Sequence, residues 1–264
     1  MINKKAMQTK PLIHCITNPI SINQCANTVL AVGAKPIMAE HPKEALEITK
    51  TADALMLNIG NITDARMEAM PISLKEAAKK NIPVVLDIAG LACSSLRRSF
   101  VKELLKHAIP TVIKGNYSEI FALYNEEYRS SGVDADSSLS EENTEKAAVS
   151  LADRYNTIIL ATGQKDIITD GKRLVYINNG TEQLSSVTGT GCMLGALCAS
   201  YLAADNSFDS VVYACAVLGV SGELSETALG NGTFMQNLLD RLSRVTKADI
   251  EKHLKKEEKK VGEV

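Results

Sequence analysis

A glycine-rich turn followed by a cysteine, VTGTGC from Val187 to Cys192, is the segment whose residue types best suit chemistry. Gly189 and Gly191 allow the backbone to approach a ligand closely and to adopt a positive φ. We predict a helix that begins near Gly191, so that free backbone N–H groups and the positive end of the helix dipole face the turn. That geometry binds a phosphate or a developing oxyanion. An ordinary glycine-rich helix start has the same composition, and the motif by itself does not separate the two.

Cys192 lies in the first turn of this predicted helix. The positive helix end is expected to lower the pKa of its thiol from about 8.5. A thiol or thiolate at this position would accept the proton of a substrate hydroxyl, or would only form a hydrogen bond with that hydroxyl. A buried cysteine that packs under the turn explains the residue equally well at this stage.

Three charged residues lie at the ends of predicted strands. Asp87 ends the apolar run VVLD, where a carboxylate needs an ion pair, hydrogen bonds or a metal, unless it caps the next helix. Glu119, early in a predicted helix, either complements the helix dipole or joins Asp87 in holding Mg²⁺ directly or through water. Lys114, five residues before Glu119, either neutralises a phosphate or is an unpaired surface lysine.

The elements that must position these residues are short apolar strands that alternate with helical patterns. The predicted strands are PLIHCIT, KPIMA, DALMLNIG, IPVVLDIAG, PTVIKGN and TIILATG. A series of βα units predicts an α/β fold with an open, mostly parallel sheet and helices on both faces. Ligands of such folds bind outside the carboxyl ends of the strands. His14, inside the first of these strands, is interpreted as a hydrogen-bonded core or edge histidine.

Three segments differ from this alternation. Asp170 and Gly171 separate two β-rich runs, which predicts a hairpin. The polar stretch from Glu126 to Glu142 is interpreted as a surface loop, because the alternation resumes after it, and we expect residues 1–264 to form a single domain. The run KKEEKK near the C-terminus is interpreted as a solvated helix end or a frayed tail.

Composition excludes several classes of function. The chain has 264 residues, 45% of them hydrophobic, and a net charge of -2, which gives no bias toward nucleic acid or an anionic membrane. No apolar run approaches the roughly 20 residues of a membrane span, and no secretory signal opens the chain. The six cysteines are scattered singly, without zinc spacing. We therefore expect a cytoplasmic protein in which the cysteines other than Cys192 are reduced core residues.

Taken in order, the strand-end residues resemble those of hydroxyethylthiazole kinases, a family of thiamine-salvage enzymes in the ribokinase-like superfamily. The matching segments are HCITNPISINQCANTVLAVGAKPIMA, ALMLNIGNIT, PVVLDIAG, IKGNYSEI, ATGQKDIITDG, VTGTGCML and GNGTFMQNLLDRL. The resemblance covers roughly Pro11 to Leu254. It implies a ribokinase-like α/β fold without a lid domain, and a homotrimer with active sites between subunits.

The resemblance also implies the activity, which is transfer of a phosphoryl group from ATP to the primary alcohol of 4-methyl-5-(2-hydroxyethyl)thiazole, with Mg²⁺. It places four residues around the thiazole: Met38, Asn18, Ile20 and Gly60. Gly189 is implied to lie near the substrate hydroxyl. The turn with Gly189 and Gly191 would hold the transferring phosphoryl group.

The remaining implied roles concern ATP, the metal and proton transfer. Lys114 and Thr162 would contact ATP, and Asp87 and Glu119 would organise Mg²⁺. Cys192 stands where most ribokinase-like kinases have an aspartate base, and cysteine is usual in the family it resembles.

Two positions differ from the family pattern. The sequence has DIAG where DPVG is usual, and Lys114 where an arginine is usual. Two alternatives to a thiazole-alcohol kinase stay open. One is a kinase or ATP-dependent dehydratase of the same superfamily that acts on another small molecule, such as a hydroxymethylpyrimidine. The other is a nucleotide- or thiazole-binding protein without catalysis.

Overall fold

The computed structural model describes residues 9–129 and 139–262, and the strands among them form one nine-stranded sheet. The strand order across the sheet is β2-β1-β3-β4-β5-β6-β7-β8-β9. The strands are β1 (Leu12–Ile16), β2 (Lys35–Ile37), β3 (Ala54–Asn58), β4 (Val84–Asp87), β5 (Val112–Asn116), β6 (Ile158–Thr162), β7 (Asp166–Thr169), β8 (Arg173–Ile177) and β9 (Lys256–Lys260). Pairings from β2 to β6 are parallel, and those from β6 to β9 are antiparallel. The expected mostly parallel α/β sheet is confirmed.

Helices cover both faces of this sheet. They are α1 (Ile22–Ala31), α2 (Pro42–Thr51), α3 (Asp64–Lys80), α4 (Ser95–His107), α5 (Tyr117–Tyr124), α6 (Glu141–Tyr155), α7 (Glu182–Ser186), α8 (Thr190–Ala204), α9 (Phe208–Glu223), α10 (Asn231–Arg244) and α11 (Lys247–His253). Within residues 9–129 and 139–262, no helix combines the length and the apolar character needed to cross a lipid bilayer.

Two apolar layers hold the helices on the sheet, and β3 shows how a single strand serves both. Every residue of β3 is buried. Because side chains alternate along a strand, Met56 packs into the layer formed with α1, α8 and α9, whereas Leu55 and Leu57 pack into the layer formed with α3, α4 and α6. A strand buried on both faces has a continuous apolar sequence, which is why the sequence reveals it.

The hairpin is confirmed, and the interpretation of the C-terminal charged run is wrong. Gly171 has a φ of +85° in the tight turn between β7 and β8, which pair antiparallel. The run KEEKK forms the exposed strand β9, which pairs with β8. Backbone hydrogen bonds need no apolar side chains, so a charged sequence can complete the sheet, and its charges discourage further strand pairing at this edge.

Helix α3 and the polar stretch before α6 are the two other segments that the sequence singled out. Helix α3 continues through Pro71 to Lys80. In the polar stretch from Glu126 to Glu142, residues 130–138 lie outside the described part of the chain, and the alternation resumes with α6.

His14 is a buried histidine of β1 whose ring bonds two neighbouring segments, as the sequence predicted. Its Nε2 lies 2.8 Å from the carbonyl oxygen of Ala39, and its Nδ1 lies 2.9 Å from Thr49 Oγ1. A carbonyl only accepts, so Nε2 carries the proton of the neutral ring. Burial lowers the pKa of His14, although the bond to Ala39 and the charge of Glu44 oppose the shift.

This lowered pKa predicts an acid-sensitive contribution to stability. Below the ordinary value of 6.5, the unfolded chain binds a proton that the folded chain resists, so stability is full above that pH and falls on acidification. A His14→Gln variant keeps a donor and an acceptor without titrating. Its free energy of unfolding, measured in urea at pH 7.5 and 5.5, should fall less than that of the wild type, by at most about 1.4 kcal/mol per pH unit. Equal losses in the two proteins would contradict this assignment.

Two helical glycines make a matched test of packing. A Cβ on Gly219 in α9 would lie 2.7 Å from the backbone oxygen of Asn179, whereas one on Gly232 in α10 would meet nothing within 4 Å. Gly219→Ala should therefore destabilise the fold by about 1–3 kcal/mol, because backbone must move. Gly232→Ala should be neutral or stabilise by up to roughly 1 kcal/mol. Urea unfolding of both variants measures the difference, and equal effects would count against the packing argument.

Candidate active site

The carboxyl ends of the parallel strands bring the polar strand-end residues to one edge of the sheet. In the strand register, Asn58 lies beside Asp87, and Asp87 lies beside Lys114. Helix α8 crosses this edge closely: a Cβ on its Gly195 would lie 2.8 Å from Met56 Cε and 3.7 Å from Asp87 Oδ2. Because Gly195 has no side chain, α8 can approach the strands closely, and the glycine-rich turn that precedes the helix can lie over the strand ends.

The turn has the geometry of an anion-binding helix start. Gly189 precedes α8 with a φ of +96°, in the left-handed region, and a Cβ there would lie only 3.1 Å from Ser21 Cβ. The helix begins at Thr190, one residue before the predicted start, and its first turn contains no acidic residue. No carboxylate of the first turn therefore neutralises the positive helix end, which the first backbone N–H groups form beside the strand ends.

Cys192 lies in this first turn as the acceptor of two side-chain amides. Asn18 Nδ2 lies 3.4 Å from the sulfur, and Asn58 Nδ2 lies 3.3 Å from it. The two amides also bond each other, with Asn18 Nδ2 lying 3.0 Å from Asn58 Oδ1. Cys192 as a residue is only partly buried.

The expectation of a lowered pKa for Cys192 is wrong. Burial raises the pKa of this thiol, and the negative charge of Asp87 raises it further. The ammonium of Lys114 and the bonds from Ser21 and Asn18 act in the opposite direction without cancelling the rise. The sequence revealed the helix start but not the neighbouring carboxylate or the depth of the sulfur below the surface.

Lys114 and Asp87 form a buried ion pair under the turn. Lys114 Nζ lies 3.0 Å from Asp87 Oδ2, and both side chains are almost completely buried. Burial alone would lower the pKa of Lys114, but the charges of Asp87, Cys192 and Glu119 raise it above its ordinary value, so the ammonium persists. A Cβ on Gly191 would lie 3.6 Å from Nζ, which places this positive charge next to the turn. The alternative of an unpaired surface lysine is wrong.

Glu119 is held by backbone donors at the start of α5. Its Oε1 accepts from the N–H of Gly90 at 2.6 Å, and its Oε2 accepts from the N–H of Asn116 at 2.7 Å. In turn, the side-chain oxygen of Asn116 accepts from the backbone N–H of Glu119, which completes a capping box. Burial, with a contribution from Asp87, raises the pKa of Glu119 to about 7. Glu119 thus ties the loop after β4 to the end of β5.

The carboxylates suit a cation that keeps most of its own water. Asp87 Oδ1 is buried and has no hydrogen-bond partner, so one carboxylate oxygen beside the turn is left to bind a ligand. Within residues 9–129 and 139–262, no cluster of three or more His, Cys, Asp or Glu side chains could encircle a metal. Mg²⁺ commonly binds through one or two carboxylates plus water and phosphate oxygens, which fits Asp87 with Glu119 behind it.

The other residues named from the sequence have the following local contacts and exposure. Gly60 donates its N–H to Asn58 Oδ1 at 2.8 Å, and a Cβ at Gly60 would lie 3.2 Å from Asn18 Nδ2. Thr162 ends β6 and donates to the carbonyl of Gly115 at 3.3 Å. Ile20 is 58% exposed in the turn after β1. Met38 follows β2 and packs against the core layer of α1 and α8.

Sequence reasoning did not assign roles to two residues of the site. Asn58 was visible only as a polar residue at a strand end, and its bond to Cys192 joins positions 134 apart in the chain. Asp166 lies at the start of the antiparallel strand β7, away from the carboxyl ends of the parallel strands that the sequence pointed to. Desolvation raises the pKa of Asp166 to about 7, against the N–H of Gly163 and the charge of Lys114, which lower it.

Comparison with known proteins agrees with this geometry. The sequence profile of the hydroxyethylthiazole kinase family matches residues 4–248. The chain is 46% identical over 242 residues to hydroxyethylthiazole kinase 2 of Clostridium botulinum (strain Hall), covering 90% of this chain and 91% of that protein.

Solved structures extend the likeness to three dimensions. The hydroxyethylthiazole kinase protein of Pyrococcus horikoshii OT3 superposes with a TM-score of 0.88 at 33% identity, covering 97% of this chain and 96% of that one. A ribokinase-like superfamily protein of Enterococcus faecalis superposes with a TM-score of 0.60 at 12% identity, covering 91% and 94%, which concerns the fold alone. The fold is therefore ribokinase-like, and the chain belongs to the hydroxyethylthiazole kinase family.

Proposed function

We propose that this chain catalyses the ATP-dependent phosphorylation of the primary alcohol of 4-methyl-5-(2-hydroxyethyl)thiazole, a step of thiamine biosynthesis and salvage. The observation that carries the proposal is the convergence of three groups at one sheet edge: the N-terminus of α8, the Cys192 sulfur, and the buried pair of Lys114 and Asp87. Family membership gives the substrate class. The Clostridium botulinum relative is named for this alcohol.

In this proposal the thiazole alcohol lies over the amides that hold Cys192. Met38, Asn18, Ile20 and Gly60 line the thiazole, and Gly189 lies beside its hydroxyl. Gly60 suits this role because any larger residue would push into the amides of Asn58 and Asn18. The bound alcohol then meets the Cys192 sulfur.

Phosphoryl transfer needs positioning and charge stabilisation more than covalent help. The alcohol oxygen forms a bond to the γ-phosphorus of ATP, while the bond from that phosphorus to the bridging oxygen of ADP breaks. The hydroxyl proton passes to Cys192 in its thiolate form, which is the minor form near neutral pH because burial and Asp87 raise the pKa of this thiol. The N–H groups behind Gly189 and Gly191 and the ammonium of Lys114 stabilise the charge on the transferring group, and Thr162 contacts the nucleotide.

Asp87 and Glu119 are the residues that would hold Mg²⁺. The unpartnered Oδ1 of Asp87 supplies the acceptor, and Glu119 fixes the loop at Gly90 and contributes its charge. When bound, Mg²⁺ neutralises phosphate oxygens and orients them for transfer. Lys114 forms an ion pair with the other oxygen of the Asp87 carboxylate, Oδ2, at 3.0 Å.

We extend the proposal to assembly and location. The residues 1–264 act as one domain, and the chain forms a homotrimer with active sites between subunits, as the family resemblance implies. A cytoplasmic location is supported by the six free cysteines, of which Cys15, Cys25, Cys198 and Cys215 are buried thiols. Cys93 is exposed, so the expectation that every cysteine other than Cys192 is a core residue is wrong for Cys93.

The activity is tested by measuring ADP release by the purified protein with Mg-ATP and a panel of alcohols. We expect release with the hydroxyethylthiazole, little with a hydroxymethylpyrimidine, and loss of activity when EDTA removes Mg²⁺. Release with the pyrimidine alone would favour a different kinase of the same fold. Tight binding of the thiazole with no ADP release would indicate a binding protein without catalysis.

The assembly is tested by light scattering of the purified chain in solution. A trimer should give three times the chain mass of 28.4 kDa. A mass equal to that of one chain, in a preparation that turns over the thiazole alcohol, would overturn the proposal of active sites between subunits.

A further inference from the structure

We propose that Asn58 is a positioning residue that fixes the Cys192 sulfur as a hydrogen-bond acceptor facing the substrate hydroxyl. The inference rests on the proposed kinase function for the identity of that hydroxyl. It depends otherwise on four contacts among buried and partly buried groups: those of Asn18, Asn58, Gly60 and Cys192. These contacts leave each amide one orientation.

The orientation of Asn18 is set by its own turn. Its Oδ1 accepts from the N–H of Ile20 at 3.1 Å, from the N–H of Ser21 at 3.2 Å and from the Ser21 hydroxyl at 3.2 Å. Two of these donors are backbone groups that can only donate. The NH₂ group of Asn18 must therefore point the other way, toward Asn58 and Cys192.

The orientation of Asn58 follows from that of Asn18. Asn58 Oδ1 accepts from the N–H of Gly60 at 2.8 Å and from Asn18 Nδ2 at 3.0 Å. A flipped amide would bring its own NH₂ against both donors, so the flip costs two hydrogen bonds. Asn58 Nδ2 is thereby aimed at the Cys192 sulfur, 3.3 Å away.

The two amide donors limit the further hydrogen bonds that the Cys192 sulfur can form. A thiol has two lone pairs, and the donors Asn18 and Asn58 occupy both, so a thiol here can only donate its proton. A thiolate has a third lone pair, which can accept from the substrate hydroxyl. The amides therefore stabilise the form of Cys192 that can take the hydroxyl proton.

Charged and titratable groups on the surrounding elements also face this sulfur. Lys114 on β5 favours the thiolate, and Asp87 on β4 opposes it. Cys25 of α1 has a pKa raised to about 12 by burial, and it stays protonated near neutral pH. Asn58 carries no charge, and it acts on the sulfur through the direction of its N–H group.

Asn58 acts through Cys192 and does not touch the substrate. Its side chain is fully buried, and a Cβ at Gly60 would lie 2.9 Å from its Oδ1, so Gly60 covers it. A residue that only oriented Cys192 should change the rate of the chemical step more than the binding of the alcohol.

The test is an Asn58→Asp variant in a double-mutant cycle with Cys192→Ala, measured by thiazole-dependent ADP release. The substituted carboxylate keeps the acceptor for Gly60 and Asn18 and removes the donor to the sulfur. We expect kcat to fall about ten-fold, with the KM for the alcohol unchanged within roughly two-fold. In the Cys192→Ala background the same substitution should cause no further loss. An equal loss in both backgrounds would show a merely structural role and overturn the proposal.

A second measurement does not depend on turnover. Cys93 is an exposed thiol, so Cys93→Ser leaves Cys192 as the partly exposed one, and its alkylation by iodoacetamide at pH 8 reports on the thiolate. In that background Asn58→Asp should slow alkylation about ten-fold. Asn27→Asp, on α1 with a side chain that bonds Asn23, is the charge control and should change the rate less than about two-fold. An unchanged alkylation rate in Asn58→Asp would overturn the proposal.

If Asn58→Asp does not fold, as judged by thermal unfolding, Asn58→Ser removes the same donor and should act in the same direction. A rate and an alkylation that both match the wild type in Asn58→Ser would also refute the positioning role. Failure of the proposed function looks different: the wild type itself releases no ADP with the thiazole alcohol, while the alkylation result still tests the orientation of Cys192.

Discussion

The buried ion pair of Lys114 and Asp87 is the interaction on which the rest of the site depends. Two charges on adjacent strands are removed from water, and each is acceptable only because the other is 3.0 Å away. Removing one partner of such a pair typically costs about 3–5 kcal/mol, because the remaining charge stays buried. The pair also sets the electrostatics around it, since Asp87 raises the pKa of both Cys192 and Glu119.

Close approach of backbone explains how the pair comes to lie under the turn. Gly195 lets α8 contact Met56 and the Asp87 carboxylate, and Gly191 leaves room above the Lys114 ammonium. Gly189 turns the chain back against Ser21 with a positive φ. A side chain at Gly195 would press on Met56, and one at Gly189 would press on Ser21 in a backbone conformation that favours glycine. The glycines that allow this close packing therefore also place the anion-binding N-terminus of α8 at the site.

Hydrogen bonds between distant segments supply the precision that packing alone does not. Asn18 and Asn58 bond each other and Cys192 across three elements, and Glu119 ties two strand-end loops with backbone donors. The Lys114 ammonium gives one directional bond to Asp87, whereas a guanidinium would present a planar fork. These bonds hold the site rigidly because they join side chains to partners on other strands and helices.

The sequence by itself determined the alternation of strands and helices, the hairpin at Gly171, and the strand ends at which polar residues gather. Apolar periodicity and glycine conformation are local properties, so they can be read without the fold. Only the tertiary structure decided that KEEKK forms β9, that Lys114 is buried against Asp87, that the pKa of Cys192 rises, and that Asn58 holds its sulfur. Each of these depends on which distant groups share a desolvated space, because burial and Coulomb interactions are set by distance in three dimensions and not by spacing along the chain.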